Sequence, residues 1–190
     1  MRVKNLILIL GVIVAYLGII VYVRISNDRT IEKRYYQVWR EDYIKNQSEN
    51  EQYVNAAGKN KTSFALSEAQ GYGMLLAVKA GQKHLGSQTD FQKLDNYYLR
   101  HRLSNSNLMS WRQENKKASL QDNPVSASDG DMMIAQALLE ADKVWPGHGY
   151  KAQAFKLISD IKKLESNRSA KIITVGNWAN KKSHFYNVMR

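Results

Sequence analysis

The chain contains no cysteine. This absence excludes disulfide bonds, a thiolate metal site, a cysteine nucleophile and a lipid-modified cysteine, and it leaves the redox compartment open. Histidine is also scarce, and the four histidines lie far apart without the spacing of metal ligands: His84, His101, His148 and His184. We therefore expect neither a metal nor another cofactor.

Acidic residues are few. The chain has 17 Asp and Glu but 28 Lys and Arg, so its net charge is +11. A basic balance of this size is common in proteins that meet nucleic acid, anionic membranes or acidic polymers. The lysines are scattered over loops and polar helix faces, without the clusters of arginine and aromatic residues that form a nucleic-acid groove. We favour a solvated surface beside an anionic envelope over nucleic-acid binding. The sequence leaves the oligomeric state open.

Long apolar runs are absent except for Leu6 to Val23, which carries no charge. Arg2 and Lys4 precede this run, and no Ala-x-Ala cleavage site follows it. The length and the missing cleavage site predict an uncleaved signal anchor, one transmembrane helix within residues 1–24, and a cleaved signal peptide is the alternative. Basic residues after the run outnumber those before it, which strains the positive-inside rule: Arg24, Arg29, Lys33 and Arg34.

Residues 25–190 read as one mainly α-helical domain, because helical periodicity dominates and alternation typical of strands is rare. Only two prolines occur, Pro124 and Pro146, and they frame one of the predicted helices. The polar run from 47 to 61 predicts a loop, and 172–175 a short extended piece. The predicted helices cover about 30–46, 67–81, 88–103, 128–145 and 149–164.

One carboxylate opens the helix predicted at residue 67. In this segment Ser67 suits the N-cap and Gln70 can complete a capping box, which places Glu68 in the first turn. Glu68 could simply complement the helix dipole, for roughly 0.3–1 kcal/mol. Gly71 and Gly73, however, each cost about 1 kcal/mol of helix propensity. They indicate close approach of a substrate or of an inner helix.

A second pair of acids opens the helix predicted at residue 128. Ser128 again suits the N-cap, Asp129 falls in the first turn, and Asp131 stands at the capping-box position. For Asp131 we favour this structural role over substrate contact. Apolar residues then recur at helical spacing and predict a buried stripe: Ile134, Leu138, Ala141 and Trp145.

Both segments resemble the signature segments of glycoside hydrolase family 8. The first is similar to the family's Ser-Glu-Gly-x-x-Tyr-Gly-Met box, with Ala69 where glycine is common. The second, Ala127 to Trp145, is similar to the pattern Ala, Ser or Thr, Asp, Ala or Gly, Asp, followed by an apolar helix that ends in an aromatic residue. The resemblance implies an (α/α)6 barrel that hydrolyses β-1,4-linked glucans and related polysaccharides with inversion.

The resemblance also implies roles for residues at matching positions. Glu68 takes the place of the general acid, and Asp129 that of the aspartate that holds and distorts the sugar. Trp111, in a segment similar to one that carries a sugar-stacking aromatic, is a candidate substrate contact, as are Tyr72 and Asp131. A core position is the alternative for Trp111 and for Tyr72.

The family's general base is an aspartate far downstream of the second motif, and no Asp follows Asp160 in this chain, where Glu165 is the only acid. About five or six helices follow the anchor, whereas an (α/α)6 barrel needs twelve. We therefore expect residues 25–190 to be the N-terminal part of a family 8 catalytic domain, about half a barrel, with the base missing and full activity of the chain alone doubtful.

The sequence thus predicts a single-pass protein of the cell membrane whose outward-facing domain hydrolyses a cellulose-like glucan without a metal. Export rests on the family resemblance, and secretion after signal cleavage is the alternative. A non-catalytic carbohydrate-binding protein that lost the base is the second hypothesis. A basic, membrane-anchored protein that binds anionic polymer is the third.

Overall fold

The computed structural model describes residues 3–58, 61–116, 119–122 and 124–179. Its backbone contacts divide the chain into two units, Met1–Arg40 and Glu41–Arg190. The first unit consists of most of one long helix, and the second carries the remaining helices and all the strands of the described ranges.

Helix α1 (Val3–Tyr43) is continuous over 41 residues. The expected separate helix beginning near Thr30 is therefore wrong. No glycine or proline interrupts the segment after the apolar run, and the Thr30 hydroxyl donates to the Ser26 carbonyl at 2.9 Å, within one helical turn. By length and composition α1 is apolar enough to cross a membrane, a property that a signal sequence near the N-terminus shares.

A hairpin follows, with strand β1 (Ile44–Ser48) antiparallel to β2 (Glu51–Val54). The loop predicted for 47–61 is wrong over this hairpin. Its polar residues are exposed on β1, whereas Tyr53 and Val54 on β2 are buried, so the usual alternation is weak in the sequence. The Tyr53 ring stacks on Tyr97 with centroids 5.3 Å apart.

Strand β3 (Phe64–Leu66) runs directly into helix α2 (Ser67–Gln82). Helix α3 (Gln88–Arg100) follows, with a complete capping box between Ser87 and Asp90. Strands β4 (Arg112–Lys116) and β5 (Ser119–Asp122) extend β3 into a three-stranded antiparallel sheet. Leu66 pairs with Arg112 in this sheet, so the start of α2 lies beside the start of β4.

Helices α4 (Ser128–Val144) and α5 (Tyr150–Leu164) complete the helical part, and strands β6 (Ser166–Asn167) and β7 (Ile172–Ile173) form a small antiparallel pair. The four helices predicted after residue 60 are confirmed to within about three residues at each end, as is the extended piece at 172–175.

The core lies where α2 packs against α4. The predicted stripe on α4 is buried at Ile134, Leu138 and Ala141. Trp145, at the end of α4, packs on Gly81 of α2, where a Cβ would come within 2.7 Å of the indole ring. The same indole lies 5.7 Å from the buried ring of Phe91 on α3, centroid to centroid.

Candidate active site

The N-terminal ends of α2 and α4 cross in direct backbone contact. A Cβ on Gly130 would overlap the Ser67 hydroxyl and lie 2.7 Å from the backbone nitrogen of Glu68. A Cβ on Gly71 would lie 2.5 Å from the Met133 Cβ and 3.2 Å from the Gly130 carbonyl oxygen. Such distances are too short for carbon, so glycine is required at both positions. Close approach of a helix accounts for Gly71.

This crossing brings the two predicted acids to one place. Glu68 is adjacent to Ser67 in sequence and Asp129 to Gly130, the residues in contact at the crossing. The Glu68 side chain is exposed and Asp129 is half-buried. The Asp129 Oδ1 accepts from the backbone N–H of Gly130 at 2.7 Å. Two carboxylates of different solvent exposure therefore stand at neighbouring helix starts.

The capping box predicted for α2 does not form. Leu66 is the N-cap residue and makes no side-chain cap. The backbone N–H of Ser67 instead donates to the Trp111 carbonyl at 3.0 Å. The Gln70 side chain accepts from Val54 N–H at 3.0 Å and donates to the Leu94 carbonyl at 2.9 Å. Bonds to other segments have replaced the local ones.

The capping box predicted for α4 is also wrong, with Ala127 as N-cap. The Ser128 hydroxyl donates to the Thr174 carbonyl at 2.6 Å. Asp131 is fully buried, and its Oδ1 accepts from the backbone N–H of Met109 at 2.8 Å. Full burial is incompatible with the suggested sugar contact, since the carboxylate of Asp131 does not reach the surface.

Trp111 joins the two motifs through its backbone. Its carbonyl accepts from Ser67, and its N–H donates to the Val125 carbonyl at 2.9 Å. The Trp111 side chain is half-buried. Because both bonds use backbone atoms, they hold residue 111 next to Glu68 independently of the Trp111 side chain.

Arg112 and Phe64 belong to the same neighbourhood and were missed by the sequence interpretation. The Arg112 guanidinium lies 4.6 Å from the Phe64 ring centroid and 5.9 Å from that of Trp111, and its Nε pairs with Glu114 at 2.9 Å. A cleft of about 660 Å³ is lined in part by Phe64, Arg112 and Glu114. No spacing signal in the sequence could have found this group, because antiparallel pairing of β3 with β4 creates it.

Tyr72 follows Glu68 by four residues on α2, which places both on one helix face. Its side chain is 48% exposed. The ring and hydroxyl are open to solvent beside the exposed acid.

Glu165 is a buried acid that the sequence interpretation noted only for its place in the chain. It is fully buried after the end of α5, and its Oε1 accepts from the Ser126 hydroxyl at 2.7 Å. Burial raises the pKa of Glu165 to about 7. Burial, together with the neighbouring Glu165, also raises the pKa of Asp131 well above its ordinary value. An acid at a helix C-terminus, where the dipole disfavours it, was the available signal.

Among the residues that the structure describes, no three His, Asp or Glu side chains are grouped so that they could hold a metal ion. The chemistry available at the crossing is that of carboxylic acids, aromatic rings and the guanidinium of Arg112.

Comparison with known proteins identifies the family of the chain. Residues 12–187 match the family described as Glycosyl hydrolases family 8. A β-glucanase from Niallia circulans is 35% identical over 145 residues, which are 74% of this chain and 34% of that protein. An endoglucanase from Bacillus sp. (strain KSM-330) is 32% identical over 161 residues, 78% of this chain and 34% of that protein.

A solved β-1,3-1,4-glucanase from Paenibacillus sp. X4 superposes with a TM-score of 0.67 at 29% identity, over 81% of this chain and 41% of that chain. The chain thus spans about a third of the length of the two curated relatives. This structural similarity confirms the predicted fold, which is mainly α-helical and contains part of an (α/α)6 barrel. The match to the family extends over nearly all of the sequence, and the chain belongs to glycosyl hydrolases family 8.

Proposed function

We propose that the protein hydrolyses β-1,4-glycosidic bonds in a cellulose-like glucan by an inverting acid/base mechanism. Glu68 is the general acid, and Asp129 positions the sugar. The observation that carries this proposal is the contact of Gly130 with Ser67 and Glu68, which brings both acids to one crossing. The relatives named a β-glucanase and an endoglucanase support a glucan as substrate.

A general acid must hold a proton until the leaving oxygen departs. Glu68 is exposed, so a polysaccharide that lies against it would remove water from the carboxyl group. The same exposure leaves the carboxyl group of Glu68 accessible to the leaving glycosidic oxygen.

Asp129 suits a positioning role because one of its oxygens is already fixed by the Gly130 N–H. The other oxygen is left to accept from a sugar hydroxyl. Trp111 and Tyr72 supply aromatic surface on which sugar rings stack, and both border Glu68. Asp131 is excluded from this set because it is buried.

Inversion needs a second carboxylate roughly 6.5–9.5 Å from the acid, with room for a water molecule between them. We place this general base outside the 190 residues. Glu165, the only acid after Asp160, is fully buried against Ser126 and does not suit activation of water. The much greater length of the relatives supports a base contributed by further polypeptide.

We further propose that α1 anchors the protein in the cell membrane as a single pass, with the domain outside the cell. A signal peptide removed on export is the alternative, since both pass the same test of length and apolarity. N-terminal sequencing of the membrane-extracted protein distinguishes them. An intact residue 1 supports the anchor, and a new N-terminus beyond residue 23 supports cleavage.

The catalytic proposal is tested on the protein with its barrel completed, by release of reducing ends from carboxymethyl cellulose and lichenan. Glu68→Gln should lower kcat by about 10²–10⁴-fold. Glu140→Gln is the matched control, because Glu140 lies on α4 and bonds only Lys143 among its described contacts. Equal rates for wild type and Glu68→Gln would remove Glu68 from the mechanism.

A non-catalytic carbohydrate-binding protein is the second candidate. The burial of Glu165 favours it for the chain taken alone, because no acid after Asp160 is then accessible to serve as base. Affinity electrophoresis in gels containing soluble glucan tests it. Retarded migration without product release would support binding alone.

A further inference from the structure

Asp131 and Glu165 are two fully buried carboxyl groups with the same unusual arrangement of partners. One oxygen of each accepts from a donor: Asp131 Oδ1 from the Met109 N–H, and Glu165 Oε1 from the Ser126 hydroxyl. The second oxygens, Asp131 Oδ2 and Glu165 Oε2, are buried and have no donor among the residues that the structure describes. A buried acceptor left in this state is costly, and more so if it is charged.

The two carboxyl groups are neighbours, and each acts on the pKa of the other. The backbone of Thr174 links their segments, because its N–H donates to the Glu165 carbonyl at 2.7 Å and its carbonyl accepts from the Ser128 hydroxyl, three residues before Asp131. Two ionised carboxylates have only acceptors and cannot hydrogen-bond each other. One proton between the second oxygens supplies the missing donor. It also leaves one negative charge on the pair instead of two.

Among the described residues, the other ionisable groups that act on the pair do not supply a counter-charge. Asp129, on the same helix as Asp131, acts on both carboxyl groups and raises the pKa of each. Burial raises the pKa of Tyr98 on α3, and the charge of Asp131 raises it further. The groups that act on Asp131 are therefore acidic or neutral, which favours a retained proton.

The pair connects the segments that carry the candidate site. Asp131 fixes the backbone of Met109, two residues before Trp111. Glu165 fixes Ser126, which leads into α4 and Asp129. The backbone N–H of Ser126 also donates to the Asn177 side-chain oxygen at 3.0 Å, which brings in the segment after β7.

We propose that Asp131 and Glu165 share one proton and act as positioning residues for Asp129 and Trp111. The shared proton follows from the missing donors and from the closeness of the two carboxyl groups, and only the consequence for sugar binding rests on the proposed function.

Infrared spectroscopy of the full chain in detergent at pH 6 tests the shared proton. Burial also raises the pKa of Asp95 to about 7, so the spectra are recorded in an Asp95→Asn background. We expect a protonated-carboxyl C=O band that shifts in D2O, changes in frequency in each of Asp131→Asn and Glu165→Gln, and disappears in the double variant. Absence of the band, or a band that either single variant leaves unchanged, would overturn the proposal.

A double-mutant cycle on thermal unfolding at pH 8 gives an independent test. A single amide at either position provides a permanent N–H donor to the partner carboxylate and keeps the acceptor for Met109 or Ser126. Each single variant should therefore fold and match or exceed the wild-type midpoint. The double variant places two amide N–H groups against each other, so its midpoint should fall below both singles. Singles that unfold as readily as the double, or do not fold, would contradict the shared proton.

Cellohexaose binding, followed by tryptophan fluorescence, tests the positioning role. Each single amide variant should keep at least half of the wild-type affinity, and the double variant should lose about tenfold. Unchanged affinity in the double variant would overturn the positioning role. Failure of the wild type to bind cellohexaose would count against the proposed function, since the infrared and unfolding tests need no sugar.

Discussion

Gly130 lies so close to Glu68 that a Cβ at position 130 would come within 2.7 Å of the Glu68 backbone nitrogen. The contact joins the first turn of α4 to the first turn of α2. It leaves no space for a side chain between the two helix starts, and it fixes where Asp129 and Glu68 stand relative to each other through rigid backbone instead of flexible side chains. This favours accurate placement of the two acids.

Gly130→Ala should therefore disturb both stability and the site. The added methyl overlaps Ser67 and the Glu68 backbone, neither of which can move freely, because the Ser67 N–H is bonded to Trp111. We expect a loss of about 1–3 kcal/mol in the free energy of unfolding. Urea denaturation measures it.

Gly18→Ala is the control for Gly130→Ala, since no atom lies within 4 Å of a Cβ added there. It should leave the unfolding of the domain unchanged. Equal stability of Gly130→Ala and wild type would show that the two helices separate at little cost. That result would contradict a rigid crossing of α2 and α4.

Gln70→Met should destabilise the domain by at least about 2 kcal/mol. The substitution keeps the volume but leaves the buried Val54 N–H and the Leu94 carbonyl without their side-chain partner. Gln136→Met, at an exposed position of α4, should change stability by no more than about 0.5 kcal/mol. Similar denaturation midpoints for the two variants would refute the importance of the Gln70 bonds.

Trp111→Ala should weaken binding of cellohexaose by about tenfold, which corresponds to roughly 1.4 kcal/mol of lost stacking. The fold should persist, because the bonds of residue 111 to Ser67 and Val125 use only its backbone. Phe155→Ala removes an exposed ring on α5 and should leave affinity unchanged. Isothermal titration calorimetry provides the measurement, and equal affinities in Trp111→Ala and wild type would exclude stacking there.

Asp95 makes stability fall as pH rises. Burial raises its pKa from 3.8 to about 7, although the Gln153 amide, which donates to it at 2.6 Å, and Arg102 partly oppose this. The folded state then keeps a proton that the unfolded state releases near pH 4. The stabilisation is complete below pH 4 and is lost as pH approaches 7.

Asp95→Asn should reduce the slope of this part of the pH profile of unfolding, since asparagine keeps the acceptor for Gln153 and does not titrate. A smaller decline should remain from Asp131 and Glu165, whose pKa values burial also raises. Glu140→Gln should leave the decline in place, because the pKa of Glu140 is lowered by its bond to Lys143 and has the opposite sign. A wild-type profile that rises from pH 4 to 7 would contradict the assignment, as would an unchanged slope in Asp95→Asn.

The helices after residue 60 could be predicted because their apolar residues recur at helical spacing and Pro124 and Pro146 interrupt the pattern. The hairpin β1–β2 could not, since its polar face is exposed and only Tyr53 and Val54 show burial. The break expected in α1 near Thr30 was wrong because no glycine or proline marks it.

Local sequence predicts Glu68 and Asp129 as site residues, and this stays a prediction, whereas the capping boxes predicted beside them do not form. Local caps were expected from Ser67, Gln70 and Ser128. These residues instead form hydrogen bonds with backbone groups of other segments. Local bonding rules hold when no competing partner is near, as at Ser87 and Asp90 of α3.

The sequence by itself determined the family, the helical class and the residue types at the candidate site, because these depend on short motifs and on the spacing of apolar residues. Only the tertiary structure decided that Asp131 is buried on Met109, that Glu165 is its neighbour, and that Arg112 joins Phe64. These contacts link residues far apart in sequence. They arise from helix crossing and strand pairing, whose geometry local spacing does not encode.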